Sequence, residues 1–213
     1  MGCANSNAHG GVKLTKPAPE EGVTHCGPWL KHPEDLVSFP KFPEGYTNSA
    51  LAKSLNKEVW DSCHGKKDDA GVSFETCILS GCQNVDSGIG AYAGSHSSYK
   101  TFAPLFDQII DQYHKHGKDA KHVSCMDATQ LNCPPLPADE AAMIVSTRIR
   151  VGRNLAEFPL GPGITNEQRL SIVEKVCKAF ESYQGDLAGT FYSLNKLSKK
   201  EKAQLVADHF LFK

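Results

Sequence analysis

Apolar side chains recur at helical spacing through the first half of the chain. They fall every four residues between Asn48 and Asp61, and they form a longer stripe from Tyr99 to Tyr113. Such spacing places side chains on one face of an α-helix. A shorter segment, from Phe74 to Cys82, predicts a third helix. The apolar faces of these predicted helices form the expected core, which includes Leu51, Leu55, Val59, Phe102, Leu105, Phe106, Ile109 and Ile110.

The pattern changes to alternation in the second half. From Ala142 to Val151 every second residue is apolar or β-branched, which predicts a strand with one core face. Its other face carries Ser146, Arg148 and Arg150. A second strand is predicted from Gly189 to Leu194. Two helices complete this half, because capping boxes begin at residues 165 and 198.

The arginine pair is the clearest sign of chemistry. Arg148 and Arg150 would lie side by side on the predicted strand, and two adjacent guanidinium groups repel each other unless an anion lies between them. A polyphosphate ligand satisfies this requirement. A solvated strand face, or pairing with carboxylates elsewhere, satisfies it equally well.

Composition limits the possible functions. The 213 residues are 40% hydrophobic and 22% charged, with a net charge of −1, so no general attraction to nucleic acid is expected. No apolar run is long enough to cross a bilayer. The eight cysteines form no C-x-x-C pair, and we expect reduced thiols and no metal site.

These patterns predict an α+β chain in four parts. Residues 1–32 are a flexible tether, and residues 33–117 are a small all-α N-terminal domain. Residues 118–141 are polar and proline-rich and form a linker. Residues 142–213 are an incomplete α+β unit, which has too few strands to be stable alone.

The first residues carry a lipidation pattern. The run Met1-Gly2-Cys3-Ala4-Asn5-Ser6 fits N-myristoylation at Gly2, and Cys3 is a candidate for palmitoylation. Two acyl chains anchor a protein stably, whereas one binds a membrane marginally. A chance Met-Gly start on a disordered tail is the alternative.

Three motifs resemble those of one family. Ser146-Thr147-Arg148-Ile149-Arg150 with Gly152-Arg153 resembles the nucleotide-binding strand of the phosphagen kinases, the ATP:guanidino phosphotransferases. Asp208-His209-Phe210-Leu211-Phe212-Lys213 resembles a second signature. Asp86-Ser87-Gly88-Ile89-Gly90-Ala91-Tyr92 resembles the guanidino-specificity loop of the arginine-kinase branch. The resemblance covers roughly Pro33 to Lys213. It implies that residues 142–213 are an incomplete α/β catalytic domain, an antiparallel sheet with helices.

The resemblance implies reversible transfer of a phosphoryl group between MgATP or MgADP and a guanidino substrate. It places nucleotide contacts at the first motif and at His209. It places the substrate at the loop, whose glycines let the backbone approach a ligand closely. Arginine is the first expected substrate and taurocyamine the second. The nucleotide-binding residues are Ser146, Thr147, Arg148, Ile149, Arg150 and His209, and the substrate-binding residues are Gly88, Ile89, Gly90, Ala91 and Tyr92.

The resemblance also implies that part of the machinery is missing. The family's acidic guanidino-positioning residues, its reactive cysteine and its later phosphate-binding arginines would all follow Lys213, so no catalytic residue is assigned here. We expect little turnover from this chain alone. One hypothesis is an incomplete, cytoplasmic phosphagen kinase that lipidation would anchor to a membrane, with a ciliary or flagellar membrane as one location. The other is a naturally short, inactive, lipid-anchored guanidino-binding or interaction module.

Overall fold

The computed structural model describes residues 14–132, 134–147, 149 and 151–211. Two short strands are β1 (Val23–His25) and β2 (Phe39–Lys41), and 3₁₀ turns lie at Pro33–Asp35, Ala128–Gln130 and Gly185–Leu187. The helices are α1 (Ala50–Ser54), α2 (Lys57–Cys63), α3 (Phe74–Gln83), α4 (Ser98–Thr101), α5 (Ala103–His114), α6 (Ala138–Ala141), α7 (Asn166–Glu181) and α8 (Lys199–Ala207).

The sheet differs from the predicted one in place and in direction. β1 and β2 pair in parallel, with Val23 opposite Phe39 and His25 opposite Lys41. This pair makes up the whole sheet among the described residues. The predicted antiparallel sheet is therefore wrong for the described part of the chain. The all-α description of the N-terminal part is also wrong, because β2 lies within residues 33–117.

The helix predicted from Asn48 to Asp61 is two helices. Ser49 caps α1 by accepting a hydrogen bond from the N–H of Ala52 at 3.0 Å. Asn56 caps α2 in the same way, by accepting from the N–H of Val59 at 2.9 Å. A side-chain amide that binds a nearby N–H competes with a continuous helix, so the chain turns at Asn56.

The remaining helices of this region follow the apolar pattern more closely. The predicted helix that starts at Phe74 is confirmed as α3, which extends one residue beyond Cys82. The stripe that starts at Tyr99 is split into α4 and α5 at Phe102. Pro104 lies in the first turn of α5, where its missing N–H leaves no hydrogen bond unmade.

The core lies between α1, α2, α3 and α5. Phe74 of α3 contacts Trp60 of α2 with ring centroids 6.1 Å apart, and it contacts Phe102 at 5.3 Å. Leu51 and Leu105 are also fully buried. The predicted core residues of this region are confirmed, except that Ile110 is only partly buried.

The two strands predicted in the second half are wrong. α6 ends at Ala141, a turn follows, and neither the described residues of 142–151 nor residues 189–194 form a strand. Val145 is 98% exposed and Ile149 is 90% exposed. A strand is stable only when a neighbouring strand satisfies its backbone groups. The described residues here provide no such neighbour.

The chain divides into two compact units, 1–164 and 165–213. In the first unit, the segment around Leu160 packs against the helical core, and the N–H of Leu160 donates to the carbonyl of Gly94 at 2.8 Å. The described residues of the second unit include none that is buried. The predicted boundaries at 117 and 141 stay predictions.

Candidate functional site

The predicted substrate loop, residues 88–92, is fastened to the start of α1. The carbonyl of Gly88 accepts a hydrogen bond from the N–H of Ala50 at 3.0 Å, and the carbonyl of Ile89 accepts from the N–H of Leu51 at 2.8 Å. These donors belong to the first turn of a helix, where N–H groups have no partner within the helix. The loop therefore satisfies the N-terminus of α1, and the carbonyls of Gly88 and Ile89 are occupied.

Helix α3 holds the loop from the other side. Gly90 has a φ of +83°, a conformation that glycine adopts without strain. A Cβ built on Gly90 would lie 3.1 Å from Cβ of Leu51. The next loop residues are also tied to α3, because the N–H of Tyr92 donates to the carbonyl of Cys77 at 2.8 Å. The loop is therefore fixed by backbone contacts on two sides.

Two backbone donors of the loop remain available. Within the part of the chain that the structure describes, the N–H groups of Gly88 and Ile89 make no hydrogen bond. Gly88 is exposed and lines a cleft of about 230 Å³. The cleft is also lined by Gly45, Tyr46, Asn48, Ser49, Val85, Asp86 and Ser87. Adjacent N–H groups without acceptors can bind an anion such as a carboxylate.

The last two loop residues have different surroundings. Ala91 is buried, so its methyl group belongs to the core. Tyr92 is 44% exposed, and its ring is accessible to a ligand. Sequence reasoning grouped all five loop residues as substrate contacts. The structure distinguishes Gly88 and Tyr92, which face solvent, from Gly90 and Ala91, which are buried.

A buried carboxylate supports the chain that follows the loop. Asp68 is 6% exposed, and its Oδ2 accepts hydrogen bonds from the hydroxyls of Ser95 at 2.7 Å and Ser98 at 2.5 Å. Its Oδ1 accepts from the N–H groups of Ala70 at 3.0 Å and Val72 at 2.9 Å. The two backbone bonds close the turn formed by residues 68–72, and the two serine bonds join this turn to the start of α4.

Hydrogen bonding determines the ionisation of Asp68. Burial raises the pKa of this carboxyl, but the four donors, led by the Ser98 and Ser95 hydroxyls, outweigh burial and hold its pKa below the usual value. The nearby thiol of Cys77 shows the opposite effect. Burial raises the pKa of Cys77 to about 11, although hydrogen bonds involving Gly94 and Ser98 act against the rise. Asp68 is thus the ionised member of this cluster.

The predicted nucleotide-binding residues are only partly described. Ser146, Thr147 and Ile149 are exposed and belong to no helix or strand. Arg148 and Arg150 lie outside the described residues, as do the predicted lipidation residues Gly2 and Cys3. The nucleotide-binding role of this segment therefore stays a prediction.

His209 lies just after α8 in the second unit, whereas the loop belongs to the first. It has a φ of +63°, and its N–H donates to the carbonyl of Val206 at 3.2 Å. A left-handed residue at this position is a common way to end a helix. Its neighbours Asp208 and Phe210 line a cavity of about 670 Å³.

The described residues contain neither a cluster of metal-ligating side chains nor a membrane-spanning helix. No group of three or more histidine, cysteine, aspartate or glutamate side chains is placed there to hold a metal ion. None of the described helices has both the length and the apolar character needed to cross a bilayer.

Comparison with known proteins identifies the first unit. Residues 46–111 match the family described as ATP:guanido phosphotransferase, N-terminal domain. The chain is 45% identical over 177 residues to an arginine kinase of Anthopleura japonica, covering 81% of this chain and 25% of that protein. It is 41% identical over 178 residues to an arginine kinase of Limulus polyphemus, covering 83% of this chain and 50% of that protein.

Solved structures give a consistent result. A crystal structure of lombricine kinase matches with a TM-score of 0.58 and 29% identity, over 81% of this chain and 48% of that chain. The substrate-free duplicated taurocyamine kinase from Schistosoma mansoni matches with a TM-score of 0.66 and 28% identity, over 80% of this chain and 24% of that chain. The chain therefore belongs to the phosphagen kinase family, as its motifs predicted, and it spans a quarter to a half of these relatives.

Sequence reasoning missed several residues that shape the site. Ser49 supports α1 beneath the loop, and a serine just before an apolar helical run is a recognisable cap signal. Asp68 gave no such signal, because its serine partners lie 27 and 30 residues away in the sequence. Tyr46 and Asn48 line the cleft from the chain before α1, and nothing in their local pattern indicates this.

Proposed function

We propose that this chain is the guanidino-binding N-terminal portion of a phosphagen kinase, which transfers a phosphoryl group between MgATP and a guanidino substrate. Arginine is the first candidate substrate. The observation that supports this most is the loop at residues 88–92. It presents the free N–H group of Gly88 at the cleft of about 230 Å³, with the free N–H group of Ile89 next to it in the chain, and backbone contacts with α1 and α3 hold it in place.

The loop geometry suits the acidic end of a guanidino substrate. A carboxylate accepts hydrogen bonds from two neighbouring N–H groups without any reorganisation of a fixed backbone. The sulfonate of taurocyamine has the same charge and also presents several oxygens, so it is the second candidate. The guanidino end would then extend away from the loop toward the nucleotide.

The nucleotide side is proposed from the sequence motifs. Arg148 and Arg150 would neutralise the phosphates of ATP or ADP, and the nearby Ser146 and Thr147 would add hydrogen bonds. His209 would lie near the nucleotide. Mg²⁺ would bridge the phosphate oxygens and lower their charge. Phosphoryl transfer depends mainly on such charge neutralisation and on in-line positioning.

We propose further that the catalytic half is incomplete in this chain. Leu170 is 71% exposed, Val173 is 50% exposed and Phe180 is 45% exposed, and all three lie on α7 at helical spacing. An apolar face of this kind is normally covered by other protein segments. The segment that would cover it is the remainder of a phosphagen kinase, and without that remainder we expect little turnover.

Membrane attachment is a separate proposal, and the lipidation pattern at residues 1–6 is its only support. Myristoylation at Gly2 with palmitoylation at Cys3 would hold the kinase at a membrane facing the cytoplasm. Mass spectrometry of the native N-terminal peptide tests this proposal. An unmodified Gly2, or a native protein that begins elsewhere, would contradict it.

A chimaera tests the enzymatic proposal. This chain would replace the matching half of the Limulus polyphemus arginine kinase, and a coupled assay would compare arginine, taurocyamine and lombricine. We expect turnover with arginine as the preferred substrate, and none from this chain alone. An Arg148→Met/Arg150→Met chimaera should fold but lose nucleotide affinity.

Two results would overturn the proposal. The first is a folded chimaera that binds MgADP but phosphorylates no guanidino compound. The second is a double-arginine variant that binds MgADP as tightly as its parent.

A further inference from the structure

A second cavity lies in the first unit beside the start of α3. It has a volume of about 580 Å³, which is within the range of small-molecule sites. It shares no lining residue with the cleft beside the loop. Charged side chains around it are Glu34, Lys67 and Glu75, and the backbone of residues 70–73 and 162–163 completes its wall.

Glu75 is a fixed carboxylate in the wall of this cavity. Its side chain is only 10% exposed. Its Oε1 accepts a hydrogen bond from the N–H of Gly65 at 2.9 Å and lies 2.7 Å from Nδ1 of His64. The ring of His64 in turn stacks on Trp60, with centroids 4.3 Å apart. Two contacts therefore hold one carboxylate oxygen and fix the direction of the other.

The other oxygen, Oε2, belongs to a residue that lines the cavity. It makes no hydrogen bond to any described residue. Among the described residues, Nε2 of His25 is the only side-chain nitrogen or oxygen that is both fully buried and without a hydrogen-bond partner, so solvent or a ligand can reach Oε2. In the free protein, water supplies the donors of Oε2, and a cationic ligand group that enters the cavity would replace that water with a charge-assisted hydrogen bond. Glu75 thus presents an acceptor that a cationic ligand group would satisfy.

Lys67 supplies the opposite charge to the same cavity. Its ammonium group pairs with no carboxylate among the described residues. Ser73, which caps α3, lies beside it in the cavity lining. A ligand with only a positive charge would be repelled by Lys67, and one with only a negative charge would be repelled by Glu34 and Glu75. A molecule that carries both charges matches both sides.

We propose that this cavity binds a small zwitterionic amino acid, with its ammonium group on Oε2 of Glu75 and its carboxylate on Lys67. The site is separate from the guanidino site and does not depend on the proposed kinase activity. It is large enough for an extended aliphatic amino acid.

The test uses the full chain and three probes of the same length. These are 5-aminovalerate, which carries both charges, n-pentylamine, which carries only the positive charge, and pentanoate, which carries only the negative charge. Amide chemical shifts of Gly65, Gly71 and Thr76 are followed by NMR during each titration. We expect saturable shifts with 5-aminovalerate, and affinity at least about tenfold weaker for each singly charged probe.

Three variants test which residues bind 5-aminovalerate. Glu75→Gln keeps the acceptor for Gly65 and removes the charge, and it should abolish saturation by 5-aminovalerate. Lys67→Met should weaken 5-aminovalerate binding but leave n-pentylamine binding unchanged or stronger. Glu58→Gln, an exposed glutamate of α2 outside the cavity lining, is the matched control and should bind like the parent.

Two outcomes would overturn the proposal. One is the absence of saturable shifts at these amides with 5-aminovalerate and with its shorter homologues glycine and β-alanine. The other is equal binding of 5-aminovalerate by the parent and by Lys67→Met. If Glu75→Gln fails to fold, the Lys67→Met comparison alone decides.

Discussion

Gly81 of α3 lies against Gly90 of the loop so closely that a Cβ on Gly81 would be 2.1 Å from the carbonyl oxygen of Gly90. Nothing larger than hydrogen fits there while both backbones keep their positions. The helix therefore positions the loop directly, through backbone contact. The amides of Gly88 and Ile89 are proposed to bind the substrate. Their positions therefore depend on Gly81, a residue that does not contact the substrate.

Gly81→Ala should reverse the usual effect of this substitution. In a helix interior, alanine is favoured over glycine by about 1 kcal/mol. Here the methyl group would collide with backbone that cannot rotate away, so we expect a loss of roughly 1–3 kcal/mol in the free energy of unfolding. Affinity for arginine should also fall at least about tenfold as the loop is displaced. Denaturant unfolding and calorimetric titration measure the two effects.

Gly117→Ala provides the control, because a Cβ there would meet nothing within 4 Å. It should leave both quantities close to those of the parent. A Gly81→Ala protein as stable as the parent would mean that the contact with Gly90 does not constrain the loop.

Asp68→Ala should destabilise the first unit. The substitution leaves the hydroxyls of Ser95 and Ser98 and two backbone N–H groups without their acceptor, at a cost of roughly 2–4 kcal/mol. Asp69→Ala removes a neighbouring exposed carboxylate and should change stability by about 0.5 kcal/mol or less. Thermal unfolding of the two variants at neutral pH makes the comparison. Equal melting temperatures would contradict the role given to Asp68.

The same carboxylate should make stability fall in acid. Because hydrogen bonds lower the pKa of Asp68 in the folded state, its contribution is fully present above the unfolded-state pKa of about 3.9. It is lost as the pH falls through the lower folded-state pKa. The difference in unfolding free energy between parent and Asp68→Ala should therefore shrink as the pH drops below about 4. A difference that stays constant down to pH 2 would show that Asp68 is not held ionised.

Cysteine reactivity should follow burial. With a pKa of about 11, the Cys77 thiol would be only about 0.1% thiolate at pH 8, and it is also fully buried. Cys125 is exposed. Iodoacetamide added to the native chain at pH 8 should modify Cys125 and leave Cys77 intact, as read by peptide mass spectrometry. Rapid native labelling of Cys77 would indicate that α3 opens far more readily than its packing implies.

The sequence predicted the helical part of the fold better than the rest, for physical reasons. The stripe from Tyr99 to Tyr113 is visible because a helix buries side chains at a fixed local spacing. A strand is stabilised by partners that are distant in sequence, so the local alternation after Ala142 could not reveal that the described residues provide no partner for the predicted strand. The split at Asn56 could have been recognised from its capping side chain.

The candidate site was predictable to a similar degree. The glycines of the loop predicted a close approach of its backbone to another group, and in the structure Gly90 lies against Gly81. The sequence could not distinguish the exposed Gly88 from the buried Ala91, because that depends on how α1 and α3 pack. The network around Asp68 joins segments that are distant in the chain, and local pattern carries no information about it.

The most direct measurement concerns the two free amides of the loop. The full chain would be titrated with L-arginine and separately with agmatine, which has the same guanidino group but no carboxylate, while the amide signals of Gly88 and Ile89 are followed by NMR. We predict that arginine shifts both signals and that agmatine leaves them in place. Equal shifts with both ligands, or movement of neither signal by arginine, would contradict the assignment of this loop as the site that binds the acidic end of the substrate.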